Sequence, residues 1–213
     1  MSLFAILLGG DLTVTPRVSA LVAGARVIAA DSGIRHAGAL GVTPELWVGD
    51  FDSSSDADYA AYPDVPRETF PAAKDKTDGE LAIDIAIGRG ATRLIVVGAF
   101  GGPRADHAFL HLALAVRLAE RGFEVTLTSG SQEGRPVVVG ENRFDYPHGT
   151  LFSVLGFTDL SGLSIAGAEW PLDRIHMPFG SSLTISNKVS GDLAVTLASG
   201  RALLVAQSLE SNS

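Results

Sequence analysis

The hydrophobic positions of the first 130 residues form short continuous runs, and stretches with helical spacing lie between them. Continuous apolar runs are typical of strands that are buried on both faces of a parallel sheet. The pattern predicts helices around residues 16–24, 33–40, 78–88 and 106–121. The predicted strands are Phe4–Leu8, Arg26–Ala30, Leu46–Val48, Glu68–Phe70, Leu94–Val97 and Glu124–Leu127. Alternating β and α elements of this kind predict an α/β domain over residues 1–130, Rossmann-like, with a mostly parallel sheet covered by helices on both faces.

The predicted helix at 106–121 has the clearest periodicity. Leu110, Leu114 and Leu118 recur at intervals of four residues, and Ala113 extends the same apolar stripe. Gly122 follows as a helix stop, since glycine readily takes the left-handed conformation that ends a helix. The sequence therefore predicts an amphipathic helix just before the last strand of the α/β domain.

From about residue 131 the pattern changes to short apolar runs separated by turn residues, with no helical spacing. The segment "SGSQEGRP" is interpreted as a linker between two domains. Short strands with frequent turns are typical of an antiparallel sandwich or partial barrel. The sequence thus predicts α/β followed by all-β, with an antiparallel β-sandwich over residues 131–213. The strands expected there are Val137–Val139, Thr150–Leu155, Leu163–Ala166, Ser182–Ile185, Leu193–Leu197 and Ala202–Ala206.

Composition and charge exclude several classes of protein. Apolar residues make up 46% of the 213 residues, which is enough for a buried core, and the net charge is −8 without any basic run. No patch that could neutralise nucleic-acid phosphates is visible, so no nucleic-acid partner is expected. The chain has no cysteine, which rules out disulfides and thiolate sites.

A membrane segment is not predicted either. No apolar stretch reaches the roughly 18 residues that a membrane helix needs. The opening "MSLFAILLGGDL" lacks the basic residues of a signal peptide, and it is interpreted as the first buried strand. A cytoplasmic location is the default expectation.

Acidic residues follow several predicted strands, at the points where each strand ends. Asp31 follows the second strand, Asp50 and Asp52 the third, and Asp75 and Asp78 lie after the fourth. The fifth strand is followed by "GAFGGPRADH", which contains Arg104, Asp106 and His107. Because ligands of open α/β sheets bind beyond the carboxyl ends of the strands, these side chains are expected to share one edge of the sheet.

The stretch "LWVGDFDSSSD" places two carboxylates one residue apart. In an extended chain Asp50 and Asp52 would point to the same side. Neighbouring carboxylates either raise one pKa or hold a cation. Oxygen ligands without cysteine favour a hard cation, Mg²⁺ or Mn²⁺, and Mg²⁺ usually bridges one or two carboxylates to substrate phosphates. The pattern therefore indicates a nucleotide or another polyphosphate substrate.

Two further features suit a phosphate ligand. Thr77 and Glu80 form a capping-box pattern, which predicts a helix beginning there with Asp78 in its first turn. Gly98, Gly101 and Gly102 would allow backbone amides to approach an anion. The chain has neither a P-loop nor a complete G-x-G-x-x-G motif. Cationic contacts would then come from Arg104 and from Lys74 or Lys76.

Each residue also has a structural interpretation when it is taken alone. An Asp-x-Asp pair is common in solvated turns. Asp31 could cap a helix, Thr77 and Glu80 could act only as caps, and His107 could be an ordinary surface or core histidine. Two functional alternatives stay open as well: a metal-dependent glycosyltransferase that uses Asp-x-Asp, and a non-enzymatic module that binds cations or carbohydrate.

The motifs "ADSG", "GDFDS", "KDKTDGELA" and "GGPRADH" occur in an order and spacing that resemble the thiamine pyrophosphokinase family. In the second half, "GAEWPL" and "LTISN" are similar to that family's thiamine-binding segment. The resemblance implies an α/β catalytic domain that binds ATP and Mg²⁺, followed by a thiamine-binding β-sandwich. It also implies a homodimer that transfers the pyrophosphoryl group of ATP to the hydroxyethyl oxygen of thiamine and releases AMP.

The same resemblance suggests roles for individual residues. Asp50, Asp52 and Asp78 would hold Mg²⁺, while Lys74 and Asp75 would face substrate or metal. Arg104 and Asp106 would lie near the nucleotide or thiamine, and either Asp75 or Asp106 would accept the proton of thiamine's hydroxyl. The nucleotide side would further include Asp31, Thr77, Gly101, Gly102 and His107.

Thiamine is expected to contact the second domain. Ser186 and Asn187 match the residues that receive the aminopyrimidine ring, and Trp170 lies in the matching "WPL" segment. In this family the thiamine cleft is built across the dimer, so these residues would lie at the subunit interface. One departure from the family pattern is Pro103, which is inserted between Gly102 and Arg104.

Overall fold

The structure is a computed structural model, and it describes residues 2–51, 54–71 and 75–208. Contacts divide the chain into two compact units. The first consists of Met1–Ala108 and Phe123–Gly130, and the second of Phe109–Gly122 and Ser131–Ser213. The assignment of one function to each part of the chain, with a boundary at residue 130, stays a prediction.

The first unit contains six parallel strands in the order β6-β5-β1-β2-β3-β4. Strand β1 lies between β2 and β5 and is parallel to both. From β1 the chain continues to β2 on one side, and from β5 it continues to β6 on the opposite side. The two connections therefore diverge, and the loops after β1 and β5 meet where they separate. The strands are Ser2–Leu7 (β1), Arg26–Ala30 (β2), Leu46–Gly49 (β3), Arg67–Thr69 (β4), Ala91–Val97 (β5) and Glu124–Thr128 (β6).

The helices agree with the predicted ones, with two differences. The predicted helix at 33–40 is a 3₁₀ helix, Asp31–Arg35, followed by α2, His36–Leu40. The sequence reading missed α3, Asp56–Ala61, which is too short for apolar periodicity to show. The others are α1, Pro16–Val22; α4, Asp78–Gly88; and α5, Ala105–Glu120, whose residues are shared between the two units.

Trp47 is the largest fully buried side chain of the first unit. Its indole Nε1 donates a hydrogen bond to the Asp31 carbonyl oxygen over 2.8 Å, so the polar end of this buried ring has a partner. Phe51 meets Trp47 edge to face at 5.1 Å between ring centroids, and Tyr59 lies 5.3 Å from it. The guanidinium of Arg67 covers Tyr59 at 4.8 Å. This aromatic group packs the connection between β3 and α3 against the end of β2.

A partly buried ion pair ties the same connection to the 3₁₀ helix. The Arg35 guanidinium donates to both carboxylate oxygens of Asp58, with the shortest distance 2.9 Å. Ser55 caps α3 reciprocally with Asp58, since its backbone N–H and hydroxyl both donate to that carboxylate. Arg35, and then Ser55, hold the pKa of Asp58 well below its usual range. The loops that carry Asp31 and Asp50 are therefore anchored to each other behind their acidic residues.

The second unit is built from antiparallel strands. Its long strand β12 pairs with β9 at its first two residues and with β10 and β8 further along, so it joins two sets of strands. Phe152, Leu160, Leu163 and Val195 are among the buried residues of the core. The strands are Gln132–Val137 (β7), Gly140–Phe144 (β8), Leu151–Gly156 (β9), Leu160–Ala168 (β10), Leu172–Met177 (β11), Asn187–Leu197 (β12) and Ala202–Gln207 (β13).

Three sequence interpretations of this unit were wrong. The predicted strand Val137–Val139 lies mostly in the turn between β7 and β8, where the Val138 N–H donates to the Asn142 side-chain oxygen at 3.0 Å. The "SGSQEGRP" segment is not a linker, because Gln132–Val137 forms β7 and pairs along its length with β13. The predicted strand Ser182–Ile185 is a turn, in which the Ile185 N–H donates to the Ser182 carbonyl at 3.1 Å. Strands β8 and β11 were missed, since their sequences "GENRF" and "LDRIHM" are mostly polar and lack continuous apolar runs.

The predicted fold class is confirmed in part: the protein combines helices with many strands in a mixed sheet. In the part of the chain that the structure describes, none of the helices combines the length and apolar character needed to cross a membrane.

The Arg35–Asp58 pair generates a prediction for stability. Replacing Asp58 with Asn keeps the shape but removes the charge, so we expect a loss of about 1–2 kcal/mol in the free energy of unfolding at pH 7. Because the folded-state pKa of Asp58 is depressed, its contribution is present above the unfolded-state pKa of about 4 and disappears as the pH falls through the folded-state pKa. Urea unfolding from pH 3 to pH 8 measures both effects.

The matched control is Asp56→Asn, which removes an exposed acid from the same first turn of α3. It should have the smaller effect at pH 7. A difference between wild type and Asp58→Asn that does not shrink below pH 4 would contradict the assigned role of the ion pair.

Candidate active site

Asp31 and Asp50 are the first residues after β2 and β3. Asp31 has a φ of 46°, in the left-handed region that non-glycine residues rarely adopt. Gly49 lies directly against it, since a Cβ on Gly49 would be 3.4 Å from the Asp31 Cα. The two acids therefore begin neighbouring loops at the carboxyl edge of the sheet. The N-cap position of the 3₁₀ helix is Ala30, so the interpretation of Asp31 as a helix cap was wrong.

The backbone between Asp50 and Asp52 differs from the expectation. Strand β3 ends at Gly49, and Phe51 has a φ of 62°, which turns the chain instead of extending it. The extended geometry from which a shared direction of the two carboxylates was predicted is thus absent. The turn brings the Phe51 ring onto Trp47, and burial of that ring stabilises it. Asp52 lies outside the described residues.

The loop after β4 ends in the capping box that the sequence predicted. The Thr77 hydroxyl accepts from the Glu80 N–H at 3.3 Å, and the Glu80 carboxylate accepts from the Thr77 N–H at 3.3 Å. Asp78 is the first residue of α4, where the helix dipole favours a negative charge. Thr77 therefore has a structural role, and its contact with a nucleotide stays a prediction.

The cationic residues of this loop are placed less favourably for a phosphate. Lys76 pairs with Asp84 on α4 at 2.6 Å. Asp75 is exposed to solvent, and Lys74 lies outside the described residues. Asp84 therefore offsets part of the charge of Lys76 before any ligand binds.

The glycine loop after β5 is held by a residue that sequence reasoning missed. Gly101 and Gly102 both have a positive φ, at 70° and 79°. The Gly102 N–H donates to the Asp11 carboxylate at 3.1 Å. Asp11 lies in the loop after β1, a few residues beyond its end at Leu7, so the same pattern of an acid after an apolar run could have identified it.

Arg104 and Asp106 are close together and exposed. The guanidinium donates to both carboxylate oxygens, at 3.0 and 2.7 Å. Arg104 holds the pKa of Asp106 well below its usual range, and the pKa of Arg104 is raised in turn. Pro103 directly precedes this pair, and the Arg104 carbonyl accepts the Ala108 N–H at the beginning of α5. His107 lies half-buried in the same first turn.

The acids of this edge suit a hard cation by their donor type, because all of them offer carboxylate oxygen. The residues concerned are Asp31, Asp50, Asp75 and Asp78. Within the described ranges, which exclude Asp52, no three histidine or acidic side chains are arranged so as to hold a metal ion. The chemistry of the donors therefore fits Mg²⁺, while the ligand set stays a prediction.

In the second unit Asn187 and Trp170 form one local arrangement. Asn187 is 4% exposed, and its amide Nδ2 donates to the Trp170 carbonyl at 2.8 Å. Its Oδ1 accepts from the Trp170 N–H at 3.2 Å and from the Lys188 N–H at 2.8 Å. The Trp170 ring itself is 56% exposed. Asn187 therefore holds the backbone that presents the indole to solvent.

Ser186 lies in the turn before β12, with a φ of 61°. Its N–H donates to the Ser153 hydroxyl at 3.0 Å. The neighbouring Thr184 is buried and its hydroxyl donates to the Val154 carbonyl at 2.6 Å, which anchors the turn. Leu183 and Ile185 are exposed on either side of it. The turn thus presents the Ser182 and Ser186 hydroxyls and two apolar side chains to solvent.

Comparison with known proteins links both halves of the chain to one family. A family model of the thiamin pyrophosphokinase catalytic domain matches residues 20–127, and a model of the vitamin B1 binding domain of the same enzyme matches residues 141–204. A thiamine pyrophosphokinase of Bacillus subtilis is 27% identical over 153 residues, covering 70% of this chain and 71% of the relative.

Solved structures agree in fold. A thiamine pyrophosphokinase from Bacillus subtilis superposes with a TM-score of 0.85 at 23% identity, covering 98% of this chain and all of the other. A thiamin pyrophosphokinase from Candida albicans gives a TM-score of 0.80 at 14% identity and covers 97% of this chain and 88% of the other. The chain therefore belongs to the thiamin pyrophosphokinase family, which confirms the resemblance of its motifs and the prediction that it is an enzyme forming thiamine diphosphate from ATP and thiamine.

Proposed function

We propose that side chains at the carboxyl edge of the parallel sheet bind ATP and Mg²⁺ and that the β unit binds thiamine. The observation that carries this proposal is that Asp31, Asp50 and the Asp78 end of α4 follow three successive strands. Positioning and charge neutralisation dominate phosphoryl transfer, so an edge rich in fixed carboxylates suits the reaction. Neither a glycosyltransferase nor a non-enzymatic binding module is supported by the family assignment.

The reaction is an in-line displacement at phosphorus. The hydroxyethyl oxygen of thiamine attacks the β-phosphorus of ATP, and the bond from that phosphorus to the oxygen bridging towards the α-phosphorus breaks. AMP leaves with the bridging oxygen, and the hydroxyl proton passes to a carboxylate. Asp50, Asp52 and Asp78 would hold Mg²⁺, which when bound offsets charge on the phosphate oxygens.

Asp75 is the better candidate for the proton acceptor. Both oxygens of Asp106 accept from Arg104, and this pairing depresses the pKa of Asp106. A carboxylate with a low pKa is a weak base, and a proton on it would also break the ion pair. Asp75 is exposed in the loop that leads into α4. We assign proton transfer to Asp75 and assign Asp106 the role of holding Arg104.

Arg104 is the cationic clamp of the proposed site. Its Nε and Nη2 donate to Asp106 in the structure, and the remaining hydrogens of the planar guanidinium can donate to a phosphate. Asp31, Thr77, Gly101 and His107 complete the proposed nucleotide side, with Lys74 in the same loop as Asp75.

The β unit supplies the proposed thiamine contacts. The exposed Trp170 ring can stack on the cationic thiazolium, an attraction of about 0.5–2 kcal/mol. Asn187 positions Trp170 through the backbone, and one amide hydrogen of its Nδ2 is left for the aminopyrimidine beside Ser186. The proposal includes a Rossmann-like domain over 1–130, a β-sandwich over 131–213, a homodimer with thiamine at its interface and a cytoplasmic location.

Mixing the protein with ATP, Mg²⁺ and thiamine tests the reaction. We expect AMP and thiamine diphosphate in equal amounts, and no product when EDTA removes Mg²⁺. Chromatography of the nucleotides and thiamine esters measures both products. Formation of AMP without thiamine, or of ADP in place of AMP, would overturn the transfer scheme.

Asp78→Asn tests the metal assignment. We expect turnover to fall at least about 100-fold, because a charge that offsets the transferring phosphates is lost from the proposed site. Initial rates of AMP release at saturating substrates measure this. Asp84→Asn is the control, since it makes the same change on the same helix. Turnover of Asp78→Asn equal to that of the control would refute a metal role.

Trp170→Ala tests the thiamine surface. The ring is exposed, so the melting temperature should stay unchanged, while loss of stacking should raise the KM for thiamine about threefold to thirtyfold. The KM for ATP should not change. Phe179→Ala removes another exposed aromatic ring of the β unit, 66% exposed, and should leave both constants near wild type. Equal increases for thiamine and ATP would argue against the assignment.

A further inference from the structure

The loops after β1 and β5 are in backbone contact where the connections of the sheet diverge. A Cβ placed on Gly98 would overlap the Leu8 carbonyl oxygen, and one placed on Gly10 would overlap the Gly98 carbonyl oxygen. The Leu8 N–H donates to the Val97 carbonyl at 2.8 Å, which continues the pairing of the two strands into the loops. Each loop therefore depends on glycines in the other for its path.

Asp11 connects the two loops at their tips. Its N–H donates to the Phe100 carbonyl at 3.2 Å, and its carboxylate accepts the Gly102 N–H at 3.1 Å. A Cβ on Gly101 would overlap the same carboxylate oxygen. Two consecutive left-handed residues, Gly101 and Gly102, are thus held by a hydrogen bond to a charged acceptor.

The hydrogen bond between Gly102 and Asp11 affects whether the glycine loop can bind a phosphate. An amide that donates to a carboxylate is not available to a phosphate, and the carboxylate repels a second anion. Pro103 follows and has no N–H to offer. Neither Gly102 nor Pro103 therefore has a backbone N–H left to bind an anion. For Gly102 this differs from the expectation based on the sequence. Arg104 is the next residue that can meet a phosphate.

We propose that Asp11 is a positioning residue that fixes the Gly101–Gly102 turn and thereby presents Arg104 to the nucleotide. The inference rests on the proposed function, in which Arg104 binds ATP. Asp11 acts through the loop, so its requirement is for a hydrogen-bond acceptor and not for a negative charge. That distinguishes it from Asp50 and Asp78, whose charge is needed.

Kinetics of Asp11→Ala and Asp11→Asn in the full chain test this. We expect Asp11→Ala to raise the KM for ATP about tenfold or more, with the KM for thiamine within about twofold of wild type. Asp11→Asn should stay within about threefold in both constants, because its amide oxygen can still accept the Gly102 N–H. Asp64→Ala, an exposed loop acid of the same unit, is the control and should match wild type.

Amide hydrogen exchange of Gly102, followed by NMR, gives a readout that does not depend on turnover. Exchange should be at least about tenfold faster in Asp11→Ala than in wild type and protected again in Asp11→Asn. If wild type makes no thiamine diphosphate, the proposed function fails, while the exchange rates still decide whether Asp11 holds the turn.

Three results would overturn the positioning role. They are a wild-type KM for ATP in Asp11→Ala, a loss in Asp11→Asn as large as in Asp11→Ala, and equal increases of KM for both substrates. If Asp11→Ala does not fold, Asp11→Asn decides alone, since any large rise in its KM for ATP shows that the charge and not the hydrogen bond is required.

Discussion

Parallel pairing of β1 with β2 on one side and with β5 on the other determines where the residues of the candidate site in the first unit lie. Parallel strands end at the same edge, so the residue after each strand joins a common rim. The two connections diverge at the middle of that rim. The glycines of both loops, and the contact of Asp11 with Gly102, follow from the close approach of backbone at this point.

The rim also explains the strained residues. Asp31 and Phe51 both have positive φ, and each lies in a loop that leaves a neighbouring strand. Such strain persists only where the surroundings hold it. Trp47 binds the Asp31 carbonyl and packs on Phe51, and the Arg35–Asp58 pair ties the two connections from behind. Core packing and a partly buried ion pair thus stabilise a backbone that places acids at the edge.

In the second unit, hydrogen bonds from a buried side chain hold the backbone of an exposed residue. A buried amide, Asn187, satisfies both backbone groups of Trp170, which leaves the indole exposed. The exposed indole is left for the proposed contact with thiamine. In both units a buried polar side chain, Asp58 or Asn187, holds backbone near residues that are proposed to contact substrate.

The sequence by itself determined the strands and the longer helices of the first unit, because continuous apolar runs, the Thr77–Glu80 cap and the Gly122 stop are local signals. The short α3 carries no such signal. The sequence also determined the family, through motifs that need no three-dimensional information. Strands such as β7 and β8 escaped detection, since pairing with β13 and β12 and not their own composition makes them strands.

Only the tertiary structure decided how the site residues are used. The turn at Phe51, the pairing of Arg104 with Asp106, the capture of Gly102 by Asp11 and the internal role of Asn187 all depend on contacts between a side chain and another part of the chain. A sequence pattern states which groups are near a strand end. Whether a carboxylate or an amide is left for a ligand depends on which hydrogen bonds the fold has already made.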